Sequence, residues 1–94
     1  MNLDKSKKRI AKKIKMGFQG YPEITISYSG SKADLAEQVA ISFVLEEGAE
    51  AMVEGFKSTT DAREDEVIQS AIVKIIERSG VKTIYLEPGV KVIS

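Results

Sequence analysis

Apolar residues recur along this 94-residue chain with two different periods. Between Ala62 and Ser79 they come at three- and four-residue steps: Val67, Ile68, Ala71, Ile72, Ile75 and Ile76. That spacing lays them on one stripe of a helix, and Glu64, Glu66, Gln69, Ser70, Lys74 and Glu77 face away from it. Asp61 precedes the stripe as an N-cap, and Gly80 follows it as a stop. From Glu23 to Tyr28 the period is two. Ile24 and Ile26 share one face and Thr25 and Ser27 the other, which predicts a strand. Residues 3–16 predict a further helix with a narrow stripe of Leu3, Ile10 and Ile14, flanked by Ala11 and ended by Gly17. Gly17-Phe18-Gln19-Gly20-Tyr21-Pro22 breaks regular structure and predicts a connection.

The stretch from Lys32 to Glu47 fits two templates. Leu35, Ala36, Val39, Ala40, Phe43 and Val44 make a helical stripe, with Ser31 and Asp34 as a start signal and Gly48 as a stop. The run from Val39 to Leu45 also has strong strand propensity, and Glu46-Glu47-Gly48 suits a hairpin turn within Val39–Glu54. The start and stop signals favour the helix. Both helices then leave through a glycine into a strand, at Gly48-Ala49-Glu50-Ala51-Met52-Val53-Glu54 and at Gly80-Val81-Lys82-Thr83-Ile84-Tyr85-Leu86. The expected order over residues 23–87 is β-α-β-α-β with parallel pairing. Pro88-Gly89 is expected to turn the chain into a short last strand, Val90–Ile93.

The fold class expected is therefore α/β, or α+β if the hairpin template holds: one small domain whose sheet carries two amphipathic helices, preceded by a basic helix. Residues 1–16 form that helix, 17–22 the connection and 23–94 the α/β domain, in one folding unit.

Charge changes the picture more than composition does. Lys5, Lys7, Lys8, Arg9, Lys12, Lys13 and Lys15 are seven of the fourteen Lys and Arg. With Asp4, residues 1–15 carry 7 − 1 = +6, and residues 16–94 carry 7 − 13 = −6. A formal net charge of zero thus hides an electrically split molecule. The basic segment has no interleaved aromatic residues for base stacking and no base-reading motif. Its expected partner is an acidic protein surface, a second copy of this chain included, or nucleic acid held by its phosphates. A membrane surface is disfavoured because no Trp or Phe lies on the apolar stripe. No apolar run approaches the length of a span and no signal-like core follows the basic segment, so the expected location is cytoplasmic.

Chemistry is limited by what the chain lacks. It contains no cysteine and no histidine. That removes thiolate nucleophiles, disulfides, the commonest general base and the commonest metal ligand. Nine serines and four threonines have no histidine to activate them, so a non-enzymatic role is expected. No cofactor motif is present: Gly55-Phe56-Lys57-Ser58-Thr59 lacks the spacing of a phosphate loop. Asp61, Glu64, Asp65 and Glu66 match no calcium loop and suit the first turn of a helix, so no metal is expected. The alternative function is a small-anion or phosphate site, conceivably enzymatic, at two strand-to-helix loops. It would use Ser29, Gly30 and Ser31 with Lys32, and Lys57, Ser58, Thr59 and Thr60, at helix N-termini. Ser, Gly and Thr also fill any such turn. Phe18, Tyr21, Met52 and Phe56 are candidates for an exposed apolar patch through which the chain dimerises.

Overall fold

A computed structural model of the chain describes residues 2–93. Met1 and Ser94, the outermost residues of the expected segments 1–16 and 23–94, lie outside the described residues. The order is α1 (Leu3–Lys15), β1 (Glu23–Gly30), β2 (Gln38–Val44), β3 (Met52–Lys57), a short 3-10 turn (Ala62–Glu64), α2 (Glu66–Ser79) and β4 (Thr83–Val92). The four strands form one mixed sheet in the order β3-β2-β1-β4. β1, β2 and β3 make an antiparallel meander, and β4 joins β1 in parallel. The mixed α/β class and the basic N-terminal helix are as the sequence predicts.

Two elements differ from expectation. Lys32–Glu47 is not a helix: Gln38–Val44 is strand β2, and Glu46-Glu47-Gly48 belongs to the turn into β3, closed by the Ala49 N–H donating to the Glu46 carbonyl (3.0 Å). The first two strand pairings are accordingly antiparallel. The reason is tertiary. As a strand, this segment puts Val39, Ile41 and Phe43 opposite Tyr28, Ile26 and Ile24, one apolar ladder against another. The supposed helix-start residue Ser31 instead turns its N–H and hydroxyl onto the Glu37 carboxylate.

The second difference lies at Pro88-Gly89. The chain does not reverse there, and Thr83–Val92 is one strand. Its register against β1 steps from Ile26/Leu86 to Tyr28/Val90, so the extra residues bulge out of the ladder. β4 is an edge strand, where a proline without an N–H is tolerated.

α2 forms inside the expected range but starts later, at Glu66 with Asp65 rather than Asp61 as its N-cap, and its inner face is turned: Val67 of the expected stripe is exposed, whereas Gln69, expected to face away, is buried with Val73. The Asp65 carboxylate accepts from the Val67 and Ile68 N–H groups, and the helix ends at Gly80 in the left-handed region (φ 64°). Ile68, Ile72, Val73 and Ile76 then pack with Ile24, Ile26, Val39, Ile41 and Ile84 of the sheet. Alternation along β1 sends Ile24, Ile26 and Tyr28 into that core and leaves Glu23, Thr25, Ser27 and Ser29 half-buried on the other face. Both helices lie on one side of the sheet. The far side carries Thr25, Ser27, Ala40 and Ser42 with Val53 and Tyr85 beside them, and neither of the two described helices.

A buried side chain helps anchor the connection 17–22, beside the Lys82 N–H that donates to the Pro22 carbonyl (2.9 Å). The Thr83 hydroxyl donates to the Gly20 carbonyl (2.6 Å) and accepts from the Gln19 N–H (2.8 Å). These bonds bring the end of α1 to the start of β4 and so fix where α1 lies on the molecule.

Candidate functional site

α1 starts at Asn2, whose side chain accepts from the Lys5 N–H (2.9 Å). Its buried side is small. Ser6 is 0 % exposed and Ile10 is buried, with Ile14 packed at the edge of the core. Ser6 meets Ser70 of α2 hydroxyl to hydroxyl (3.3 Å), a contact that two small side chains permit. Two cations flank this seam. Lys7 pairs with Glu64 (2.7 Å) in the 3-10 turn just before α2, and Arg9 pairs with Glu77 (2.8 Å) near the far end of α2. Cations two positions apart thus reach acids toward opposite ends of the segment 62–79, so the second helix crosses the first rather than running alongside it.

The remaining lysines divide by angle. At about 100° per residue, Lys5, Lys8, Lys12 and Lys15 fall within an arc of about 80° centred about 180° from Ile10. All four are exposed, and among the described residues none forms an ion pair. They make a row about 15 Å long on the outermost line of the helix. Lys13 lies off the row, half-buried on the flank toward α2. The seven-cation face read from the sequence thus divides: Lys7 and Arg9 clasp the protein's own acids, the row of four points outward, and Lys13 stands apart on the flank.

Between the two helices on that flank is a groove of about 290 Å³. Val73, Ile76 and the half-exposed Met16 line it together with Arg9, Lys12, Lys13 and Glu77. The sequence places Ile76 on a core stripe and gives Val73 and Met16 no role. The missing signal is three-dimensional, because only the crossing of α1 over α2 brings the three together.

The loops considered for an anion do approach one another. The Ser58 N–H donates to the Glu37 carbonyl (2.8 Å), and Lys57, Ser58, Glu37 and Gln38 line a shallow depression. Ser29 and Gly30 lie within β1, and the loop after them leads into a strand, not a helix. Their donors serve the chain itself. Ser31 gives both its groups to Glu37, which holds that carboxyl below its usual range. The Ser58 hydroxyl donates to Asp65 (2.9 Å) and accepts from the Thr60 N–H (3.1 Å).

The acids near α2 have structural partners as well. Asp61 accepts a two-point contact from Arg63 (Nε 2.9 Å, Nη2 2.6 Å), caps the 3-10 turn and accepts from the Ala36 N–H (3.3 Å). The Arg63 side-chain bond is the chief cause of a carboxyl pKa lowered to about 2. Burial pushes the Tyr28 hydroxyl up, although a hydrogen bond from Gln69 (2.9 Å) opposes it. Among the described residues no group of three or more acids gathers as a metal-ligand cluster. Nor is any described helix long and apolar enough to cross a membrane.

No family model, curated protein or solved structure matches this chain. A functional reading therefore rests on the surfaces just described.

Proposed function

We propose that this chain is a non-enzymatic interaction module whose working surface is the outward row Lys5, Lys8, Lys12 and Lys15, and that its partner is an acidic protein segment. One observation carries the reading: four exposed cations stand in line on the face opposite Ile10, with no acid among the described residues paired to them. Lysine is a flexible point charge, suited to a run of carboxylates and without the planar fork that fixes one geometry. Length favours protein over nucleic acid. The row spans about 15 Å, and the rest of the chain carries −6. A duplex running past the row would meet that acidic remainder within a few Debye lengths of about 8 Å, whereas a short acidic segment ends with the row.

The test compares the full chain with a variant carrying Lys5→Gln, Lys8→Gln, Lys12→Gln and Lys15→Gln, which keeps helix propensity and removes the charge. Each is titrated with a fifteen-residue Glu/Ala-rich peptide and with a single-stranded and a duplex oligonucleotide at low salt, while backbone amide shifts are recorded. The expected result is peptide-induced shifts along α1 that fade with salt and vanish in the variant. Absence of any peptide response overturns the reading. Binding of the oligonucleotides alone, with log affinity falling steeply against log salt, would assign the row to phosphates instead. Self-association of the free chain at low salt, lost in the variant, would identify the acidic partner as a second copy. The turn between β2 and β3 would then supply exposed Glu46, Glu47 and Glu50.

A further inference from the structure

The groove beside the lysine row has walls of one kind and a rim of another. Its floor is Val73 and Ile76 of α2, and one wall is Met16, half of whose surface is exposed. Arg9, Lys12 and Lys13 stand around it against the single acid Glu77, which Arg9 already engages. The rim is therefore cationic around an apolar interior. Lys12 belongs to both the row and the groove, so the two surfaces are continuous. At about 290 Å³ the groove lies just below the range of small-molecule pockets, which begin near ~300 Å³. It has room for one large side chain rather than a whole ligand.

We infer that the acidic partner segment is amphipathic and seats one large apolar side chain in the groove between α1 and α2, while its carboxylates lie along Lys5, Lys8, Lys12 and Lys15. The inference rests on the lysine-row reading and adds to it the chemical identity of the partner's central residue. Charge complementarity chooses the occupant. An apolar residue flanked by acids satisfies the floor and the rim together, and one flanked by bases is repelled by Arg9, Lys12 and Lys13. A helical segment would present the anchor and the acids at three- and four-residue steps, matching the spacing of the row.

Two fifteen-residue helix-forming peptides test this, identical in their glutamates and differing in one central position, leucine in one and serine in the other. Both are titrated into the full chain, into Met16→Gln and into the four-lysine variant described above. Met16 is exposed, so its substitution leaves the fold intact. The leucine peptide is expected to bind about tenfold tighter or better, as burial of one such side chain requires. Its amide shifts should centre on Met16, Val73 and Ile76, and Met16→Gln should erase most of its advantage. Equal affinity of the two peptides, with both lost in the four-lysine variant, overturns the anchor and leaves the lysine row standing. A leucine advantage mapped to another part of the surface also overturns it. If neither peptide binds the unaltered chain, the row and the anchor fall together.

Discussion

Asp61 ties together several parts of the fold through one side chain. It caps the 3-10 turn, clamps Arg63 and accepts from the Ala36 N–H, which ties the β1–β2 loop to the segment leading into α2. A helix cap is all that local sequence shows of it. Arg63 is only two residues further on, but the Ala36 N–H comes from a loop that is distant along the chain. The carboxyl is lowered from 3.8 to about 2 in the fold, so its contribution is present above the ordinary carboxylate range and is lost as pH falls from about 4 to about 2. Unfolding free energy followed by denaturant titration should drop by about 1–2 kcal/mol over that window and keep this part of the slope out of Asp61→Asn. Thr83 is a second such residue, 0 % exposed, with both hydrogen bonds inside the fold. Thr83→Val keeps the shape but leaves the Gln19 N–H and the Gly20 carbonyl unpaired. A loss of about 1–3 kcal/mol in the same titration is expected.

At the level of elements, what the sequence reveals depends on whether a pattern has a competitor. α2 and β1 have none: only a helix aligns Ile68, Ile72 and Ile76, and only a strand separates Ile24 and Ile26 from Thr25. Residues 32–47 satisfy both periods, since Val39 and Phe43 are four apart, as in a helix, and also lie two either side of Ile41. Pairing with β1 decides between them, and no local window contains that pairing. The lysine row, by contrast, was present in the spacing of Lys5, Lys8, Lys12 and Lys15 once Ile10 defined the inner face. The β1–β2 loop carries its own signature at Gly30. A Cβ there would stand 2.1 Å from the Leu35 carbonyl oxygen and 3.1 Å from the Glu37 N. Both are backbone atoms and cannot rotate aside. Gly30→Ala should therefore cost about 2 kcal/mol or more, with the loop's amide signals displaced in the NMR spectrum.

For the molecule as a whole, the one-sided arrangement decides what is offered to a partner. The helices share one face of the sheet, so the lysine row and the groove beside it lie on the same side of a body only 19 Å along its shortest axis. The acids that balance the row lie mostly elsewhere, and among the described residues only Glu64 and Glu77 form ion pairs with α1. The parallel pairing of β1 with β4 has a further consequence, for the order in which the chain folds. Ile24 meets Phe43 across a local turn but meets Ile84 only after the chain between them has returned. Closing the larger loop costs more entropy before any contact rewards it, so the meander forms first and β4 docks onto a surface already made. Ile41→Val and Ile84→Val each remove one methyl from the core and should cost about 0.5–1.5 kcal/mol. In a stopped-flow chevron the first should slow folding and the second should chiefly speed unfolding. The reverse assignment would mean that the parallel pair comes first.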